Sequence, residues 1–199
     1  MTGSARDILP IDDNAFDAFF SNNLRESIPD PYLRGYVVKE VVRGTINGEK
    51  FDFLNDERSL SVILYRLHET GQDEAYKRFK SIADGLLALC GFFPEHLSSY
   101  RRHSMGIRWH VARGRDAYNA ALYYSNKARI PGSSPTMLSR IGDNFKDISG
   151  ALFELKQRGN YSLDDLEAEV REEIKKAFYR RRDLPSPGQS VRPLLKLVS

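Results

Sequence analysis

Six large apolar residues recur at alternating intervals of three and four between positions 138 and 155, and this spacing constrains the fold more than any other feature of the chain. They are Leu138, Ile141, Phe145, Ile148, Leu152 and Leu155. Intervals of three and four place side chains on one face of an α-helix, so the pattern predicts an amphipathic helix with a narrow apolar seam, ended by Gly159. Such a seam packs equally well within the chain or against a second copy, which leaves a homodimer open.

Helical periodicity also recurs along most of the chain before and after this seam. Further helices are predicted after the capping residues Asp12 to Asn14, from Pro31, from about Asp56, through Phe79 to Leu89, from about Ser104 to Asn126, and from Ser162. In the helix from Ser104, we expect a buried stripe of Ile107, Val111, Gly114, Tyr118 and Leu122. The predicted fold class is all-α, a single-domain bundle of about six to seven helices with those from Ser104 and Ser134 at its centre.

One stretch departs from the helical pattern. Residues 44–53 contain an Asn47-Gly48 pair between short segments of β-favouring residues. Asn-Gly is a preferred turn pair of two-residue β-hairpins. A small β-hairpin is therefore predicted near residues 44–53, with an irregular loop as the alternative.

The end of the chain changes character after Asp183. Residues 1–183 are predicted to form the helical domain, and 184–199 a flexible linker rich in Pro, Gly and Ser that ends in a short apolar motif. The motif contains Leu194, Leu195 and Leu197. An apolar motif on a linker docks into a groove of another protein or folds back on its own domain.

Residue patterns that carry known chemistry do not occur in the sequence. It contains neither the Glu-x-x-His nor the His-Glu-x-x-His spacing of helical metal sites, and neither of the common glycine-rich phosphate loops. Its one cysteine, Cys90, follows an apolar run and is expected to be a small buried hydrophobe. We therefore predict no catalytic residues, no metal and no cofactor. With no apolar run of membrane-spanning length, the expected location is the cytoplasm, without a membrane partner.

The strongest functional signal is a cluster of basic and aromatic residues between positions 101 and 140, where positive charges greatly outnumber negative ones. The residues selected as an interaction face are Arg101, Arg108, Trp109, His110, Arg115 and Tyr123. Arg, Trp and Tyr are the usual anchors of protein interfaces, and the same residues also bind phosphates and stack on bases. A solvated surface that pairs with acidic helices of the same chain, such as residues 164–173, is a further interpretation of the same charges.

We therefore expect a non-enzymatic interaction protein, an adaptor or regulatory subunit, that binds a protein partner through this face and its C-terminal tail. Nucleic-acid binding through the same arginines is the alternative. An enzyme acting on an anionic substrate ranks third, because it would require Arg108, His110, Arg115 and Tyr118 to share one pocket although they point in several directions on a helix.

Three short segments also resemble a known family. They are Gly91-Phe92-Phe93-Pro94-Glu95-His96-Leu97, then Met105-Gly106, and then Gly114-Arg115-Asp116-Ala117-Tyr118. In this order they resemble an uncharacterised family of bacterial all-helical proteins, over about residues 60–158. The resemblance implies an all-helical fold and a bacterial origin. It implies no activity and no site residues.

Overall fold

A computed structural model describes residues 13–46, 51–55, 60–98 and 106–158, and every regular element within these ranges is helical. The α-helices are α1 (Asp13–Asn23), α2 (Pro31–Tyr36), α3 (Arg43–Ile46), α4 (Leu60–Leu67), α5 (Gln72–Phe92), α6 (Pro94–Ser98), α7 (Ile107–Ala128), α8 (Pro135–Asp143) and α9 (Phe145–Arg158). The predicted all-α fold class is confirmed. The predicted helix from Ser162, the linker and the motif of Leu194, Leu195 and Leu197 lie outside the described residues.

An N-terminal rod runs without interruption over residues 31–46, in which a π-helical turn at Val37–Val42 joins α2 to α3. Asp30 caps the rod, because its Oδ1 accepts hydrogen bonds from the backbone N–H groups of Tyr32 at 2.9 Å and Leu33 at 3.3 Å. All four valines of the π-helical turn are buried. With the rod taken as one helix, the described ranges contain seven helices of eight or more residues, in agreement with the expected number.

The hairpin predicted near residues 44–53 is wrong in the part that the structure describes. Arg43–Ile46 continues the rod, and Asp52–Asn55 forms a single 3-10 turn. Thr45 is buried, and its hydroxyl donates a hydrogen bond of 2.6 Å to the carbonyl of Val41 one helical turn earlier. Packing of the rod against the core thus overrides the β preference of these residues.

The central helix of the bundle is α5, and not the helices from Ser104 and Ser134 that the sequence suggested. Every residue from 82 to 93 is buried, so the second half of α5 is enclosed on all sides. It packs most extensively against α7 and then against α9. The apolar run that ends α5 is therefore the core of the domain.

The buried side of α7 differs from the stripe predicted for it. Gly114 and Tyr118 are buried as expected, whereas Ile107 is exposed and Val111 and Leu122 are only partly buried. The remaining buried positions are Ala117, Ala121, Tyr124 and Ser125. Small side chains bring α7 close to α5, so the contact is centred on alanines and not on the larger aliphatic residues.

The seam between Leu138 and Leu155 is fully buried, but it lies on two helices. Asn144 separates α8 from α9, and its side-chain amide donates a hydrogen bond of 2.8 Å to the carbonyl of Arg140. The same carbonyl also accepts the backbone N–H of Asn144 at 3.1 Å. Because all six apolar residues of the seam are buried within a single chain, they are not available to a second copy.

Two further details concern the shorter elements. The apolar residues of α4, which are Leu60, Ile63, Leu64 and Leu67, are all buried. Gly71 occupies the N-cap position of α5. Within the described ranges, no helix combines the length and the apolar character needed to cross a membrane.

Candidate functional site: the outer face of α7 and a buried polar cluster

The solvent side of α7 carries half of the predicted interaction face. We define the outer face of α7 as Arg108, Ala112, Arg115, Asn119 and Tyr123, which lie within an arc of about 80° around the helix axis. All except Ala112 are exposed, and Ala112 is partly buried. The opposite side of α7 is embedded against α5, so these five residues stand on a rigid support.

The two arginines of the outer face form no ion pair or hydrogen bond with any residue of the described ranges, which distinguishes them from Arg113 and Arg140. Arg113 forms an ion pair of 2.8 Å with Asp116, and Arg140 forms one with Asp30. Arg108 and Arg115 are exposed, and their guanidinium groups have no counter-charge among the residues that the structure describes.

Tyr123 is an exposed aromatic side chain that is held in place from two sides. It is 55% exposed, with the ammonium of Lys127 lying 5.4 Å from its ring centroid. The ring of Tyr124 meets it edge-on at 5.1 Å. Tyr124 is itself buried, stacked on Phe79 at 5.8 Å and bonded through its hydroxyl to Nδ1 of His68 at 2.9 Å. Tyr123 thus extends from the core as a pre-oriented anchor.

Trp109 and His110 do not belong to the outer face. Trp109 is partly buried against the hydrophobic core, with the guanidinium of Arg113 6.0 Å from its ring centroid. His110 lies about 200° around the helix from Arg108 and is partly buried, with Nδ1 3.3 Å from the carbonyl of Gly106. Arg101, the remaining member of the predicted interaction face, lies outside the described residues.

The four residues of the enzyme hypothesis are not gathered into one pocket. Arg108 and Arg115 face solvent, whereas Tyr118 is completely buried, about 80° around the helix axis from Arg108. The Tyr118 hydroxyl is bonded to Asp84 inside the core. No anionic substrate could contact this tyrosine together with the two arginines.

A buried polar cluster, which the sequence analysis missed, lies where the rod crosses α5 and α7. At its centre is the carboxylate of Asp84 on α5, which has no solvent exposure. Its Oδ1 accepts hydrogen bonds from the hydroxyls of Tyr36 at 2.9 Å and Tyr118 at 2.6 Å. Its Oδ2 accepts one of 3.1 Å from Nζ of Lys80. The polar cluster therefore ties three helical segments to one carboxylate.

Lys80 connects this carboxylate to the surface. Its ammonium also donates a hydrogen bond of 2.6 Å to Oε2 of Glu40, which lies in the π-helical turn of the rod. The ammonium further lies 5.0 Å from the ring centroid of Tyr36. The side chain of Lys80 is 20% exposed and that of Glu40 is 44% exposed, so the chain of contacts runs from solvent into the core.

The two tyrosines and the lysine of the polar cluster are held in their protonated forms. Burial, with the Asp84 carboxylate adding to it, raises the pKa of the Tyr36 and Tyr118 hydroxyls well above the ordinary value. Burial alone would lower the pKa of Lys80, but Asp84 and Glu40 more than offset it and raise that pKa. A nucleophile or general base needs the opposite shift. We assign the polar cluster to positioning the rod on α5.

One signal in the sequence points to this cluster. Asp84 stands inside the otherwise apolar segment from Ile82 to Leu89, where a charge needs a buried partner, and Lys80 lies one helical turn before it. Burial also raises the pKa of the Cys90 thiol to about 12, which makes it a structural core residue as predicted. Within the described ranges, no group of three or more His, Cys, Asp or Glu side chains is arranged to hold a metal ion.

Comparison with family models, with curated proteins and with solved structures found no match to this chain. The resemblance to a bacterial helical family therefore stays a prediction.

Proposed function

We propose that the protein is a non-enzymatic interaction module, an adaptor or regulatory subunit, which binds a protein partner through the outer face of α7. The observation that supports this most is the alignment of Arg108, Arg115 and Tyr123 on one side of a rigid helix, where neither arginine forms an ion pair with a residue of the described ranges. Arg and Tyr are enriched among the residues that dominate protein-binding energy.

Preorganisation strengthens this proposal. Binding costs conformational entropy when side chains must be ordered at the interface, and Tyr123 is already ordered by Lys127 and Tyr124. The embedded side of α7 fixes the backbone beneath the outer face. A partner would thus meet a surface whose shape changes little on binding.

The chemistry of the polar cluster supports a binding function over catalysis. Its two tyrosines and its lysine are held protonated, and all three donate hydrogen bonds to Asp84. They therefore offer no reactive group near neutral pH. We place the protein in the cytoplasm. We retain the motif of Leu194, Leu195 and Leu197 as a second contact that strengthens the complex.

Site-specific photo-cross-linking tests the proposed function. A photoreactive phenylalanine analogue is placed at Tyr123 in one variant and at Tyr32 in the control, because Tyr32 is also an exposed tyrosine but lies on α2. In nuclease-treated lysate of the source, the variant at 123 is expected to yield a discrete protein adduct that the control lacks. Identical adducts at both positions, or adducts only with nucleic acid in untreated lysate, would contradict the proposal.

The tail is tested in the same assay. A chain ending at Asp183 retains the outer face but lacks the apolar motif, so it should form the same adduct at position 123 in lower yield. Equal yield from the two chains would remove the motif from the proposal and leave the outer face as the only contact.

A further inference from the structure

The outer face of α7 has the register of a helix-docking surface. Its five residues follow one another at intervals of four, three, four and four, a spacing close to that of a coiled-coil seam, although they lie on the solvent side. The two arginines are seven residues apart, which corresponds to about 10.5 Å along the helix axis. Ala112 lies between them and leaves space for close approach.

From this register we infer that the partner presents an α-helix that lies along α7 and carries two carboxylates seven residues apart. The inference rests on the proposed function and specifies its partner. Because both helices rise by the same distance per residue, carboxylates seven residues apart match Arg108 and Arg115 simultaneously. Arginine pairs with a carboxylate through two parallel hydrogen bonds, so each pair also fixes orientation.

The remaining residues of the outer face define the partner further. Tyr123 offers an aromatic surface to an apolar residue about two turns beyond the second carboxylate. Asn119 can hydrogen-bond to a polar side chain between them. The partner helix is thus amphipathic and acidic, with one apolar anchor at the end that lies near Tyr123.

A phosphate backbone fits this surface less well. A DNA strand carries one phosphate about every 3.4 Å of helix axis, and it is bound by dense rows of basic residues. Here the two arginines are about 10.5 Å apart, and the residues between them include Ala112 and Arg113, which is ion-paired with Asp116. The outer face therefore has too few positive charges for a strand and enough for two carboxylates.

Designed helical peptides test the inference on the full-length protein. The in-register peptide has the 22-residue length of α7 and carries two glutamates seven residues apart, with a leucine two turns beyond the second. The control peptide has the same composition, but both of its glutamates lie on the side of the helix opposite the leucine. Fluorescence anisotropy should show binding of the in-register peptide about tenfold tighter than that of the control, since two ion pairs are lost in the control.

A charge exchange distinguishes recognition of the seven-residue spacing from nonspecific electrostatic attraction. The variant Arg108→Glu/Arg115→Glu should lose this preference and should instead prefer a peptide in which lysines replace the two glutamates. The variant Arg25→Glu/Arg66→Glu changes the charge equally at two exposed arginines outside α7 and should bind as the unmodified protein does. Equal affinity for in-register and control peptides, or tighter binding of a dT20 oligonucleotide, would overturn the inference.

The two proposals fail in different ways. If the photoreactive group at position 123 captures a protein but the peptides bind equally, the partner contacts α7 without a helix in register, and only the inference fails. If position 123 captures nothing that position 32 does not, the proposed function itself fails.

Discussion

The hydroxyl of Tyr118 donates a hydrogen bond of 2.6 Å to Oδ1 of Asp84, and neither side chain is accessible to solvent. This contact joins α7 to α5, the two helices that form the largest packing interface of the domain. A carboxylate in an apolar core is costly unless it is fully hydrogen-bonded, so each donor to Asp84 contributes to the stability of the fold.

Removing the Tyr118 hydroxyl should therefore destabilise the protein without changing its volume. We expect Tyr118→Phe to lower the free energy of unfolding by about 2 kcal/mol, because a bond to a charged acceptor is lost inside the core. Chemical denaturation measures the change. Tyr123→Phe, five residues along the same helix but exposed, is the matched control and should leave the denaturation midpoint unchanged. Equal effects of the two substitutions would contradict the structural role of the polar cluster.

The ammonium of Lys80 gives a second prediction. Lys80→Met leaves Asp84 and Glu40 without their shared cation. We expect the free energy of unfolding to fall by about 3 kcal/mol. This value is at the lower end of the range for a broken buried ion pair because Lys80 is partly exposed. Lys77→Met breaks the exposed pair with Asp73 on the same helix and should have no measurable effect. If both variants were destabilised to a similar extent, the loss of stability would depend on removing a lysine charge and not on how deeply the ion pair is buried.

Two glycines should respond to alanine with opposite signs. A Cβ at Gly114 would overlap the buried ring of Phe145, so Gly114→Ala should destabilise by about 2 kcal/mol. Gly150 lies in α9 with open space around it, and Gly150→Ala should stabilise by about 0.5–1 kcal/mol through higher helix propensity. Thermal melts of the two variants measure both shifts. Stabilisation by Gly114→Ala would disprove the close approach of α7 and α9.

Alkaline pH should weaken the fold in two steps. Burial raises the pKa of the Cys90 thiol from its ordinary 9.0 to about 12. The unfolded chain releases this proton near pH 9 while the folded protein keeps it, so stability is unaffected below pH 9 and falls above it. The expected loss is about 1 kcal/mol between pH 9 and pH 10. The raised pKa of Tyr118 adds a second loss that begins above pH 10.

Substitution separates these two steps. In reducing buffer, Cys90→Ala should abolish the loss between pH 9 and pH 10, although it lowers stability at every pH by leaving a small cavity. Tyr118→Phe should keep that first loss and reduce the second. If denaturation at pH 8, 9 and 10 shows the same pH dependence in all three proteins, the thiol does not titrate as its burial requires.

The sequence predicted which residues of the seam are buried but not that α8 and α9 are separate helices. Only one non-helical residue, Asn144, separates the two helices, so the three-and-four spacing continues across it. The backbone N–H of Asn144 still bonds to the carbonyl of Arg140 at 3.1 Å, and its own carbonyl accepts from the N–H of Ile148 at 2.9 Å. A break of this kind leaves no trace in hydrophobic periodicity.

Periodicity also could not identify Asp84. Hydrophobic periodicity distinguishes the buried face of a helix from its solvent-exposed face. From residue 82 onward, α5 has no solvent-exposed face. On α7, the large residues Ile107 and Val111 predicted one position for the buried stripe, whereas the buried side is the one that carries the alanines. The buried side is therefore rotated around the helix axis from the predicted stripe. Because of this rotation, Arg108, Arg115 and Tyr123 share the exposed outer face, while Trp109 and His110 are partly buried.

The most direct test of the central claim is quantitative affinity capture by the full-length protein from nuclease-treated lysate of its source. The unmodified protein, Arg108→Glu/Arg115→Glu and the control Arg25→Glu/Arg66→Glu are compared, after thermal melts show that all three are equally folded. We predict a protein partner that the unmodified protein and the control retain equally and that Arg108→Glu/Arg115→Glu loses. Equal retention by all three would contradict the assignment of the outer face of α7 as the binding surface.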